Sequence, residues 1–157
     1  VCVTDSIYNA FLADYSEGKA FMHSHTYAGN PLACSCALAV IKILKRDNII
    51  EKANELGQWL SKEFEQRFMQ IDKVGGVRHI GLINALELVK DRSTKEPFDS
   101  SLRLGYRIYQ NALKKGLLLR PIGDILYFNP PLNIKKEELK KAMDIAYEAI
   151  TEELSKI

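Results

Sequence analysis

The sequence predicts an α+β fold in which helices cover a small antiparallel sheet, and three observations predict it. Helix-period apolar patterns fill residues 31–68 and return near both residue 106 and residue 146. Two runs rich in β-branched and aliphatic residues, Val74–His79 and Gly81–Val89, break that period and are punctuated by Gly75-Gly76 and Gly81. A second pair of short runs, Leu117–Arg120 and Ile125–Asn129, flanks the Pro121-Ile122-Gly123-Asp124 turn.

Taken in order, Val1–Val3 reads as the tail of a strand. Thr4 and Asp5 suit the cap and first turn of a short helix reaching about Tyr15, ended by Ser16-Glu17-Gly18-Lys19. Ala20–Tyr27 is expected to be extended or irregular. Asn30-Pro31 is a helix start, an Asn cap followed by proline at the first helical position. The helix after it, Pro31 to about Lys45, is apolar on almost every face and is expected to be buried all round. Asn48–Phe68 is amphipathic through Ala53, Leu56, Leu60 and Phe64.

The two strands of residues 74–89 read as antiparallel neighbours, followed by a polar loop, Asp91–Asp99, that contains Pro97. Leu102, Tyr106, Tyr109 and Leu113 form a helical stripe that stops at Lys114-Lys115-Gly116, a basic last turn with a glycine stop. The Leu117–Asn129 strand pair ends at Pro130-Pro131, which blocks further pairing. A last helix, about Lys135–Lys156, places Leu139, Met143, Ala146, Ile150 and Leu154 on one face.

Composition narrows the function classes. The 157 residues suffice for one domain with a hydrophobic core, and 46% hydrophobic with 27% charged residues is the balance of a soluble globular protein. The net charge of +2, from 22 basic and 20 acidic residues spread along the chain, gives no reason to expect a nucleic-acid partner. The longest apolar stretch, Pro31–Ile41, is too short to cross a bilayer, and no signal-peptide pattern opens the chain. Cys2, Cys34 and Cys36 are odd in number, and Cys34 and Cys36 point to nearly opposite sides of a helix. Neither a disulfide framework nor a shared metal is expected. These cysteines are expected to be small buried residues in a cytoplasmic protein. A chain opening on Val1 is either processed or a piece of something longer.

Two segments could carry chemistry. In HSHTYAGNPL, residues 23–32, a polar irregular stretch runs directly into a helix start, so hydroxyl, backbone N–H groups and helix dipole meet. Such a place can hold a phosphate, or the polar residues can simply cap their own helix. His23 and His25 would share a face in a strand, but the only other histidine is His79 and no carboxylate has a telling spacing, so no metal site is expected. In LLLRPIGDILYFNPPL, residues 117–132, Arg120 sits at the end of an apolar strand before a tight turn. Its planar fork suits capture of a carboxylate, and a salt bridge to Asp124 is the structural alternative. Tyr127 either lines a pocket or belongs to the core. No nucleophile with its base, paired carboxylates or phosphate loop with lysine is present.

Together the two segments resemble the class III (subgroup II) aminotransferases of fold type I, and the similarity runs over essentially the whole chain, including GLINALEL (residues 81–88) and the final helix. The second segment is more specifically similar to the branch that converts 8-amino-7-oxononanoate to 7,8-diaminononanoate in biotin synthesis. The resemblance implies pyridoxal 5'-phosphate as cofactor and a cytoplasmic homodimer. Residues 1–29 would be a remnant of the large cofactor-binding domain, 30–46 the linking helix, and 47–157 the C-terminal small α+β domain. It implies that His25 and Thr26 grip the cofactor phosphate of the neighbouring subunit's site. Ser24 would lie beside the substrate through its backbone, although glycine is commoner there. Arg120 would bind the substrate carboxylate and Tyr127 would line the pocket.

The family's Schiff-base lysine falls upstream of Val1, and Lys19, in a turn, is no substitute, so the chain alone is expected to be inactive. It is also expected to self-associate or to expose an apolar patch. The amino donor, S-adenosylmethionine or lysine, is not distinguished. Another class III aminotransferase or aminomutase of the ω-amino acid:pyruvate type is the nearest alternative. A non-catalytic anion-binding α+β module is the alternative of a different class.

Overall fold

The computed structural model describes residues 2–157; the start of the strand tail read at Val1–Val3 lies outside them, and Cys2 and Val3 carry no strand. The chain divides into two compact units, Val1–Ile41 and Lys42–Ile157.

The first unit holds little regular structure. Helix α1 covers only Asp5–Asn9, with a separate 3-10 turn at Tyr15–Glu17, so the expected helix to Tyr15 is shorter than its capping signals suggested. None of α1 is buried, and a helix without a packed face has only weak propensity to extend it. A new turn starts at Asp14, whose N–H donates to the Glu17 carboxylate at 3.3 Å, and left-handed Gly18 ends it. Helix α2 spans Pro31–Arg46, close to the expected bounds. Its expected burial is not found. No α2 residue is buried, Leu38 is 58% exposed, and Cys34 and Cys36 are exposed with it. An apolar circumference makes burial favourable but does not supply a covering surface.

The second unit is the α+β body. Helix α3 (Ile49–Phe68) turns Ala53, Gly57, Leu60, Phe64 and Phe68 inward, the spacing of a single helical face. Strands β1 (Val74–Ile80) and β2 (Ile83–Leu88) pair antiparallel, closing through Ile80 opposite Ile83, with a register shift between Val74 and Gly76. Gly81 adopts φ 54° at this turn, and Gly57 lets α3 lie against it: a Cβ there would stand 2.6 Å from the Gly81 carbonyl oxygen. Helix α4 spans Leu104–Lys114, strands β3 and β4 are Arg120–Ile122 and Ile125–Phe128, and helix α5 is Lys136–Leu154. The sheet order is β1-β2-β4-β3, and every neighbouring pair is antiparallel.

One sheet face and three helices enclose the core. Asn84, Leu86, Leu126 and Phe128 alternate inward from β2 and β4. They meet Leu60, Phe64 and Phe68 of α3, Leu104 and Ile108 of α4, and Leu139, Met143 and Ile150 of α5. Phe64 packs against Phe68 with the rings tilted and their centroids 4.5 Å apart, and meets Phe128 edge-on at 5.2 Å. Each such side chain contributes about 1.5–3 kcal/mol by leaving water. Polar contacts clamp α4 to α5: Arg107 pairs with Glu153 at 2.9 Å, and Lys115 with Glu148 and Glu152 at 2.7 and 2.9 Å.

Two local readings are corrected. The buried row of α4 is Leu104, Ile108 and Ala112, not the expected stripe through Tyr106 and Leu113, both of which are exposed. Arg103 takes a left-handed conformation that starts the helix at Leu104, and its guanidinium stacks on the outward Tyr106 ring at 4.3 Å. Arg120 begins a strand instead of ending one. Pro121 lies inside β3, and the turn is Gly123-Asp124, between the opposed Ile122 and Ile125. Proline is tolerated because β3 is an edge strand.

Candidate functional site

The two segments singled out in the sequence fall in different compact units. In the first, Ser24 and His25 end an irregular stretch, and a turn covers Thr26–Gly29. Ala28 N–H donates to the His25 carbonyl at 2.9 Å, Asn30 N–H to the Tyr27 carbonyl at 3.1 Å, and Gly29 is left-handed. Asn30 caps α2, its side-chain oxygen accepting from Ala33 N–H at 3.1 Å. The capping task is therefore carried by Asn30. The Thr26 hydroxyl and the N–H groups of Thr26 and Tyr27 make no hydrogen bond among the described residues. That donor set, exposed ahead of a helix start, fits the oxygens of a phosphate. The rings of His23 and His25 meet edge-on at 5.3 Å, and among the described residues no three His, Cys, Asp or Glu side chains gather into a metal-sized cluster.

In the second unit, strand pairing brings Arg120 and Tyr127 directly opposite each other. Tyr127 and Arg120 point away from the face on which Leu126 and Phe128 are buried. Tyr127 is half-buried and Arg120 exposed, and both line a concavity of about 410 Å³ with Leu117, Leu118, Asn129 and Pro131. The salt bridge to Asp124 is absent. The Asp124 carboxylate instead accepts Gly105 N–H at 3.1 Å, and no carboxylate among the described residues lies within ion-pair distance of Arg120. A guanidinium without a partner, beside a tyrosine and an apolar wall, can take up a carboxylate through paired hydrogen bonds.

Register adds a residue that sequence reading missed. Arg78 of β1 lies opposite Ala85, Ala85 opposite Tyr127, and Tyr127 opposite Arg120, so one cross-strand row carries an arginine at each edge of the sheet. Its sequence signal was a single arginine within the strand VGGVRHI. The contact between Asp124 and Gly105 was missed as well, since 19 residues separate them.

The sequence matches the family model for class III aminotransferases over residues 1–150. An adenosylmethionine-8-amino-7-oxononanoate aminotransferase of Methanocaldococcus jannaschii is 42% identical over 149 residues, which are 95% of this chain and 32% of that protein. The protein of that name from Anoxybacillus flavithermus is 40% identical over 153 residues, 98% of this chain and 34% of its own length. The crystal structure of the Methanocaldococcus enzyme superposes with a TM-score of 0.86 over 96% of this chain and 34% of that one. A PLP-bound aminotransferase mutant from Vibrio fluvialis, 26% identical, gives 0.83 over 90% of this chain and 31% of that one. The chain belongs to the class III aminotransferases, and it spans about a third of the length of these relatives.

Proposed function

We propose that this chain is the C-terminal portion of an aminotransferase that converts 8-amino-7-oxononanoate to 7,8-diaminononanoate in biotin synthesis. The observation that carries this reading is Arg120, exposed, without an acidic partner among the described residues, and opposite Tyr127 in the wall of a concavity. The similarity to two aminotransferases named for that substrate supports the same choice.

In this reading Arg120 grips the carboxylate of the keto acid with two parallel N–H donors, and Tyr127 lines the pocket that receives its chain. Ser24 lies beside the substrate through its backbone. Thr26, with His25 before it, holds the phosphate of pyridoxal 5'-phosphate across the interface of a cytoplasmic homodimer. When bound, that cofactor supplies the electron sink that allows an amino group to move between carbon skeletons. Residues 1–29 belong to the cofactor-binding body, 30–46 link the domains, and 47–157 form the small domain. In this reading the residues of this chain supply ligand contacts, and the cofactor-anchoring lysine that the resemblance implies is not among them.

The test is a steady-state assay of the complete polypeptide that carries this segment. Arg120→Ala should raise KM for 8-amino-7-oxononanoate by about tenfold or more, the scale of a lost charge-assisted pair. Arg120→Lys should recover only part, because an ammonium cannot reproduce the fork. No turnover of this keto acid by the unaltered enzyme would sink the reading.

A further inference from the structure

We propose that Asp124 is a positioning residue for Arg120, its carboxylate holding the β3–β4 turn against α4 and thereby fixing where the guanidinium meets a substrate carboxylate. This rests on the reading of Arg120 given above. The Arg120 side chain makes no hydrogen bond or ion pair among the described residues, so the place of its guanidinium is inherited from the backbone that carries it. That backbone has little of its own to hold it. β3 is three residues long, sits at the sheet edge, pairs only with β4, and contains Pro121, which has no N–H to donate.

Asp124 makes up the deficit from both sides. Its carbonyl accepts Leu88 N–H at 3.0 Å, continuing the attachment of β4 to β2. Its side chain accepts Gly105 N–H at 3.1 Å in the first turn of α4. Helix α4 needs that acceptor, because the residue in its cap position is Arg103, which offers none. The carboxylate also stands where the positive end of the helix dipole favours it. Gly105 has no Cβ to hold the turn away: a side chain there would collide with the Gly123 carbonyl. Asp124 therefore caps a helix remote in sequence, and the same bond fastens the turn of the hairpin, three residues after Pro121. This also explains why Asp124 is not the ion-pair partner of Arg120.

The experiment compares Asp124→Ala, Asp124→Asn and Arg120→Ala in the complete enzyme, with Asn111→Ala as a control. Asn111 bonds Glu152 at 2.7 Å on α5, so its loss loosens α4 without touching the hairpin. Asp124→Ala should raise KM for 8-amino-7-oxononanoate by about tenfold while kcat stays within about twofold, the signature of weakened binding alone. Asp124→Asn, which keeps the acceptor, should restore KM to within about twofold. Asn111→Ala should lower thermal stability without moving KM. An unchanged KM in Asp124→Ala beside a raised KM in Arg120→Ala would overturn the positioning role, and so would equal impairment of the Ala and Asn variants. If Asp124→Ala does not fold, the Asn variant is compared with Asp124→Glu, which displaces the acceptor by one methylene; identical KM values for the two would overturn the proposal. An unchanged KM in Arg120→Ala would remove the underlying reading instead.

Discussion

The carboxylate of Asp124 accepts the backbone N–H of Gly105 at 3.1 Å, joining the turn between β3 and β4 to the start of α4. The join requires a residue without a side chain at position 105, since a Cβ would run into the Gly123 carbonyl and stand 3.2 Å from Pro121 Cβ. Gly105→Ala should therefore destabilise the folded chain by about 1–3 kcal/mol through overpacking against backbone. Gly76→Ala, where a Cβ meets nothing within 4 Å, should change stability by no more than about 0.5 kcal/mol. Chemical denaturation midpoints of the two variants check this; equal shifts would show that the α4 contact is not tight.

Phe64 and Leu38 make a second contrast. Phe64 is 1% exposed and touches two other aromatic rings, so Phe64→Ala should cost about 3–5 kcal/mol. Leu38, on the uncovered α2, should cost no more than about 0.5 kcal/mol on the same change. Both are read from the unfolding of the 157-residue chain, and a large loss from Leu38→Ala would mean that α2 is covered in solution.

The cysteines report on α2 directly. Cys2, Cys34 and Cys36 are all free and exposed, so each should react with a chromogenic disulfide reagent in the folded chain, without denaturant. Protection of Cys34 and Cys36 that grows with protein concentration would reveal self-association through this helix.

Asp91 sets a pH dependence. Hydrogen bonds from Ser93 and Thr94 hold its carboxyl down from the ordinary value of 3.8 to about 2. The geometry is an Asx turn: the same oxygen accepts both backbone N–H groups at 2.8 Å. A depressed folded value means that the stabilisation is fully present above the unfolded pKa and disappears as pH falls from there through the folded value. The stability difference between the unaltered chain and Asp91→Ala should thus shrink below about pH 4 and be lost near pH 2. Carboxyl NMR titration of Asp91 measures the shift itself; a midpoint near 4 would refute it.

Much of this molecule is legible in the residues. The 3.6-residue spacing of Ala53, Leu60 and Phe64 fixed the inner face of α3, and Leu139, Met143, Ala146 and Ile150 that of α5. The Asn30-Pro31 start and the left-handed Gly116 stop stand where local chemistry put them. The family was legible too, from HSHTYAGNPL and LLLRPIGDILYFNPPL taken together and in order, and the class III model matches residues 1–150.

The failures share one cause, the dependence of burial and pairing on what lies opposite. Tyr106 and Leu113 share a helical face as readily as Leu104 and Ile108, and only the left-handed Arg103 and the sheet beneath decide which row turns inward. The apolar faces of α2 predicted burial, yet periodicity says what a helix can bury and not whether a partner is present. An ion pair between Arg120 and Asp124 stood as the alternative to carboxylate capture because the two lie only four positions apart in the chain. The sequence by itself determined the long helices, the first two strands and the residue types available for binding an anion. Tertiary structure alone decided that Asp124 serves α4, that Tyr127 faces Arg120, and that the guanidinium is left without a partner, because hydrogen-bond partners are chosen by proximity in space.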